Sequence, residues 1–194
     1  MYLPPEIILH IFKNIPQKLL GLNKYYSTEY NIYYIDFYFQ RWCIKYGIKV
    51  YEKRIKLCNK KLKNLPQCMY KLTKLEYLDL NKNRIKSLIG VCFSNNLKIL
   101  YLCNNLIESI VGVSFPDTLE LLHLSDNFIE SLIGVSFPSS LKYLYLSNNS
   151  IKSLMGVNFP VNMKILHLSD NKIIKKEILE LKERFPNCII FFKK

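Results

Sequence analysis

The chain has 194 residues, 49% of them hydrophobic and 13% aromatic, enough apolar side chain to close a packed core in one large domain or two small ones. No run approaches the roughly eighteen uncharged apolar residues of a membrane span, and the first residues lack a basic segment followed by a small-residue cleavage site, which predicts an intracellular protein, cytoplasmic or nuclear. A net charge of +13 fits nucleic acid, an acidic partner or solvated lysines, but Lys71, Lys74, Lys98, Lys142, Lys152 and Lys164 read as scattered, with only short doublets such as Lys175-Lys176, which argues against nucleic acid.

The first predicted element lies in LPPEIILHIFKNIP, residues 3–16. Ile7, Ile8, Ile11, Phe12 and Ile15 form a helical stripe, Pro4 and Pro5 suit its first turn, and Pro16 ends it. His10 lies beside the stripe and is expected to be partly exposed. QKLLGLNKYY then groups Leu19, Leu20 and Leu22, and aromatic segments end in FYFQRWCIKYG, with Trp42 the single tryptophan. Three short helices are expected over residues 1–50.

Leu3, Pro4, Glu6, Ile7, Ile11, Phe12, Leu19, Leu20 and Trp42 follow a pattern that resembles the F-box family over roughly residues 2 to 47. The stretch STEYNIYYIDFYF departs from that family, lacking its tryptophan after the Leu-Leu pair. The resemblance implies docking on the Skp-family linker subunit of cullin-RING ubiquitin ligases, with Leu3, Pro4, Glu6, Ile7, Ile11, Phe12, Leu19 and Leu20 forming the contact. The alternative is that residues 1–54 only seal the open end of whatever follows; a seal needs one apolar face, a docking module two.

Beyond residue 54 the chain repeats itself. SLIGV (87–91), SIVGV (109–113), SLIGV (131–135) and SLMGV (153–157) recur every 22 residues. In phase with them run Leu97, Leu100, Leu102, Asn105 and Ile107, and the equivalent sets ending at Ile129, Ile151 and Ile173; Leu75, Leu78, Leu80, Asn83 and Ile85 make an earlier copy. A degenerate copy, Ile55, Leu57, Leu62 and Leu65, has Lys60 in the Asn position. The pattern LxxLxLxxNxL resembles the leucine-rich repeat family over residues 55–174, and FPSSLKYLYL (137–146) resembles its FNIP-type variant without the defining Phe-Asn pair.

Leu-x-Leu alternation describes a short strand with leucines inward, and stacking such strands in parallel about 4.8 Å apart pairs each backbone group with the next coil. The tight turn after each strand leaves buried N–H and C=O groups that an Asn amide can both donate to and accept from, which explains Asn83, Asn105, Asn127, Asn149 and Asn171. Pro116, Pro138 and Pro160 predict an irregular return path, with Phe93, Phe115, Phe137 and Phe159 as a stacked column inside it. The fold expected is thus an α/β repeat: a six-turn solenoid over residues 51–174 with a parallel sheet on its concave face and an irregular convex side. A short helical domain precedes it at 1–50, and a helical cap follows at 175–194. In that cap Ile178, Leu179 and Leu181 are expected on one buried face, and Cys188 and Ile190, 22 residues beyond Leu166 and Leu168, are expected to continue their columns.

Residues alternating with the inward leucines face outward from the sheet. They include Tyr77, Asp79, Tyr101, Leu121, His123, Tyr143, Tyr145 and His167, an amphipathic stripe suited to a protein target; ring stacking that merely stiffens the sheet is the competing reading. A metal reading fails, because His123 and His167 fall two strands apart, roughly 10 Å, whereas each ligand must lie about 2 Å from one zinc. No nucleophile with a base, paired carboxylates, phosphate loop or CxxC pair is visible, so neither an enzyme nor a cofactor is expected. The six cysteines lack a disulfide framework and are expected to be reduced. The abundance of Lys, Asn, Ile, Tyr and Phe suits an AT-rich genome, such as that of a large DNA virus or a protist.

Overall fold

The computed structural model describes residues 36–193, so the candidate linker contacts from Leu3 to Leu20 lie outside the described residues. Helical backbone covers 36–46 (α1), followed by β1 (Arg54–Lys56), a short 3-10 turn (Met69–Lys71), β2 (Tyr77–Asp79), β3 (Ile99–Tyr101), β4 (Leu121–His123), β5 (Tyr143–Tyr145), β6 (Ile165–His167), α2 (Lys175–Arg184) and β7 (Ile189–Phe191). All seven strands pair in parallel, in chain order, as one sheet. The register sets Ile55, Leu78, Leu100, Leu122, Leu144, Leu166 and Ile190 side by side.

These columns are the core. Leu78, Leu100, Leu122 and Leu144 are completely buried, as are Leu80, Leu102, Leu124 and Leu146 beside them. Each such leucine contributes about 1.5–3 kcal/mol relative to exposure, so the stack coheres only because every coil covers its neighbour.

The predicted Asn column forms a hydrogen-bonded ladder. Asn127 Oδ1 accepts from the Ile107 N–H at 3.0 Å, while its Nδ2 donates to the carbonyls of Leu102, Leu124 and Ser125 at 3.0, 3.0 and 3.1 Å. Asn105, Asn149 and Asn171 repeat this pattern one coil apart. Asn83 compensates for Lys60, its Oδ1 accepting from the N–H groups of both Lys60 and Leu62 at 3.0 Å.

The convex side is irregular, as its prolines predict. Each SLIGV-type segment makes a β-turn: the Val135 N–H donates to the Leu132 carbonyl at 3.1 Å, and Gly134 at φ 78° takes the left-handed conformation that the third turn residue requires. The phenylalanines form two stacked pairs instead of one column: Phe93 with Phe115 at 6.4 Å and Phe137 with Phe159 at 5.8 Å. Phe137, only partly buried, is where the sequence expectation breaks.

Both ends are closed. At the C-terminal end Ile178 and Leu181 are buried, but Leu179 is 53% exposed, because one residue of helix turns it about 100° away from Ile178. Glu177 fixes α2 to the fifth coil by accepting from Ser153 Oγ at 2.9 Å. The last coil corrects the expected spacing: Ile190 faces Leu166, 24 residues on and not 22, since a helix replaces the usual return path. Phe192, packed against the core, then follows the Leu168 column, and Cys188 lies before the strand. At the other end Phe39, Cys43 and Ile48 are buried in the same core as the first coil, with Trp42 and Tyr46 packed against it. Lys71 pairs with Asp36, joining α1 to the 3-10 turn.

Candidate functional site: the concave face

The outward positions of β2 to β6 occupy one face of the sheet. Tyr77, Asp79, Tyr101, Leu121, His123, Tyr143, Tyr145 and His167 all lie there, each half-buried. The structure therefore brings together all eight predicted contact residues, in two adjacent columns. The first column continues through Ile99, Leu121 and Tyr143 to Ile165; these apolar residues are half-buried between neighbouring strands and not fully exposed as the alternation alone suggests.

Ring contacts run unbroken across the face. Tyr77 meets Tyr101 at 5.6 Å between centroids, Tyr101 meets His123 at 5.8 Å, and His123 meets Tyr145 edge-on at 5.0 Å. Tyr145 meets His167 at 6.3 Å, and His167 meets Phe191 at 5.1 Å. Arg54 extends the row with its guanidinium 4.1 Å from the centre of the Tyr77 ring. Sequence reasoning missed Phe191, because the two extra residues of the last coil shift it out of the 22-residue phase. Asp79 is locally engaged, accepting from the Asn81 N–H at 2.9 Å.

His123 sits in this row with its charged form disfavoured. Burial pushes the His123 imidazole below its ordinary value of 6.5, Asp126 pulls it partly back, and His167 adds to the lowering. The Nδ1 atoms of His123 and His167 are buried without a hydrogen-bond partner among the described residues. The unfolded chain therefore binds more protons at His123 once the pH falls below 6.5, so this contribution to stability is present above that pH and is lost as the pH falls toward the lower folded value. His123→Phe, which keeps the ring contacts with Tyr101 and Tyr145, is expected to flatten the fall in thermal midpoint between pH 7 and pH 5. An identical fall in the two proteins would remove His123 as its source.

Burial raises the Cys43 thiol to about 11, and burial with the Asp126 carboxylate raises Cys103 to about 11, so neither is a ready nucleophile at neutral pH. All six cysteines are free. Among the described residues no group of three or more His, Cys, Asp or Glu side chains could hold a metal ion, and no helix is long and apolar enough to cross a membrane.

A second apolar feature escaped the sequence reading. Ile89, Val111, Ile133 and Met155, each the second residue of a convex turn, are 65%, 41%, 56% and 72% exposed. Their signal was the residue between Leu or Ile and Gly in each SLIGV-type segment, a position the turn turns outward.

Leucine-rich repeat family models match residues 71–94 and 95–151, which is what the parallel coils there resemble in sequence pattern and fold. Among solved structures the chain is similar to a leucine-rich repeat protein of Leptospira interrogans, at 27% identity and a TM-score of 0.54, over 68% of this chain and 35% of that one. It is also similar to an internalin (inlF) of Listeria monocytogenes, at 20% identity and 0.61 over 73% and 43% of the two chains. Internalin C2 of the same organism gives 17% identity and 0.50 over 73% and 74%. The chain thus spans less than half the length of the first two. No curated protein matches it.

Proposed function

We propose that this protein is a substrate-recognition adaptor of a cullin-RING ubiquitin ligase: the concave face holds a protein target, and residues 1–50 dock the Skp-family linker. The observation that carries the first half is the row of half-buried rings crossing the open sheet face, bordered by Ile99, Leu121 and Ile165. Tyr and His give such a face contact area at low conformational cost, with a polar tip to set register. The second half rests on the F-box resemblance of Leu3, Pro4, Glu6, Ile7, Ile11, Phe12, Leu19 and Leu20. The adaptor performs no chemistry itself; it raises the effective concentration of a target lysine near a ubiquitin-charged enzyme.

Burial of Phe39, Cys43 and Ile48 against the first coil supports a second reading, an interaction scaffold whose N-terminal segment only seals the solenoid. The two readings part on one measurement. The full chain is expected to co-purify with a recombinant Skp-family linker, and Ile11→Asp with Phe12→Asp is expected to abolish that while the thermal midpoint holds. Failure to bind, or binding that survives both substitutions, would leave the scaffold.

A further inference from the structure

Basic side chains are concentrated at one end of the stack. Residues 41–86 hold fourteen Lys and Arg against three Asp and Glu, whereas residues 87–174 hold five against six. A composition bias acting on the whole chain would not respect that boundary. β1 contributes Arg54 and Lys56, and the turn after it exposes Lys60, Lys61 and Lys63. The next coil stacks exposed Lys82, Arg84 and Lys86 against that turn: the Arg84 N–H donates to the Leu62 carbonyl at 2.8 Å, and Asn83 bonds the N–H groups of Lys60 and Leu62. The two rows therefore lie about 4.8 Å apart, the strand spacing.

Among the described residues only Asp79, opposite Lys56 in the register, stands beside them with the opposite charge. Among the described residues none of these side chains is in an ion pair, and the nearby Glu76 is taken by Lys53 at 3.3 Å and Lys98 at 3.1 Å. Farther along the same edge the sign reverses: the positions of Lys82, Arg84 and Lys86 become Asn104, Leu106 and Glu108, then Asp126, Phe128 and Glu130. A nucleic acid, uniformly charged, would gain on two coils and be repelled on the next two. A polypeptide can confine its carboxylates to one short stretch.

We propose that the strand-exit edge of the first two coils is a docking site for an acidic segment of a polypeptide partner. The site adjoins the end of the ring row at Arg54 and binds by charge complementarity. Its test uses the full chain, a fluorescent twelve-residue Glu-rich peptide and a single-stranded oligonucleotide of equal charge, followed by anisotropy at low and physiological salt. The peptide is expected to bind more tightly than the oligonucleotide, with an affinity that falls as salt rises. Lys61→Glu, Arg84→Glu and Lys86→Glu together are expected to weaken it at least about tenfold. Lys164→Glu, Lys172→Glu and Lys182→Glu, the same change in net charge at exposed sites elsewhere, are expected to leave it within about twofold. Absence of peptide binding at low salt, equal losses in both triple variants, or tighter binding of the oligonucleotide would overturn the proposal. Circular dichroism of both variants separates lost binding from lost fold.

Discussion

Replacing Asn127 with alanine is expected to cost about 3–5 kcal/mol in urea unfolding, from several buried backbone groups losing partners at about 1–3 kcal/mol each. The Asn127 amide serves one N–H and three carbonyls drawn from its own coil and the one before it. Alanine fills none of those roles, and the side chain is buried, so water cannot substitute without opening the turn. Because each coil is held mainly by its neighbours, the loss falls on the junction with the preceding coil. Asn162, an exposed residue of the convex return, provides the control: Asn162→Ala is expected to change stability by less than about 0.5 kcal/mol. Equal midpoints for the two variants would mean that the Asn ladder is incidental to the solenoid.

Most of the solenoid is legible in the sequence because one period writes every layer at once. A fixed 22-residue step places Leu100 beside Leu122 and Asn105 beside Asn127 without any knowledge of the turns between them. The reading failed where the period stops being informative. The last coil contains a ten-residue helix, so its length follows the helix and the strand lands with Ile190 opposite Leu166. Leu179 shows the same loss of phase within that helix.

The N-terminal boundary is harder to read for a different reason. Hydrophobic periodicity tells which face of a helix is apolar, not what covers it. Residues 36–48 read as the end of a separate module, yet Phe39, Cys43 and Ile48 share the core of the first coil. The candidate site divides similarly. The placement of its eight candidate residues on one face followed from alternation alone, whereas Phe191 and the exposed Ile89, Val111, Ile133 and Met155 depend on turn geometry that no column of leucines reveals. The basic edge of the first two coils was hidden because lysines 22 or 23 residues apart look scattered on a line and adjacent on a stack.

The concave face carries the second large expected effect. A photo-crosslinking residue placed singly at Leu121 or Tyr143, both half-buried on that face, is to be compared with one at Ile133 or Met155, more than half exposed on the convex turns. Exposure alone favours the convex pair, so the comparison separates recognition from accessibility. Tyr145→Ala, which removes the ring between His123 and His167, is expected to lower any captured partner's affinity by roughly thirtyfold, the effect of losing about 2 kcal/mol at an interface centre. The deciding measurement is the crosslink itself in the full chain: the account predicts one protein joined from Leu121 and from Tyr143, with the adduct lost in Tyr145→Ala. The same protein joined from Ile133 and Met155 and from neither concave position would contradict it.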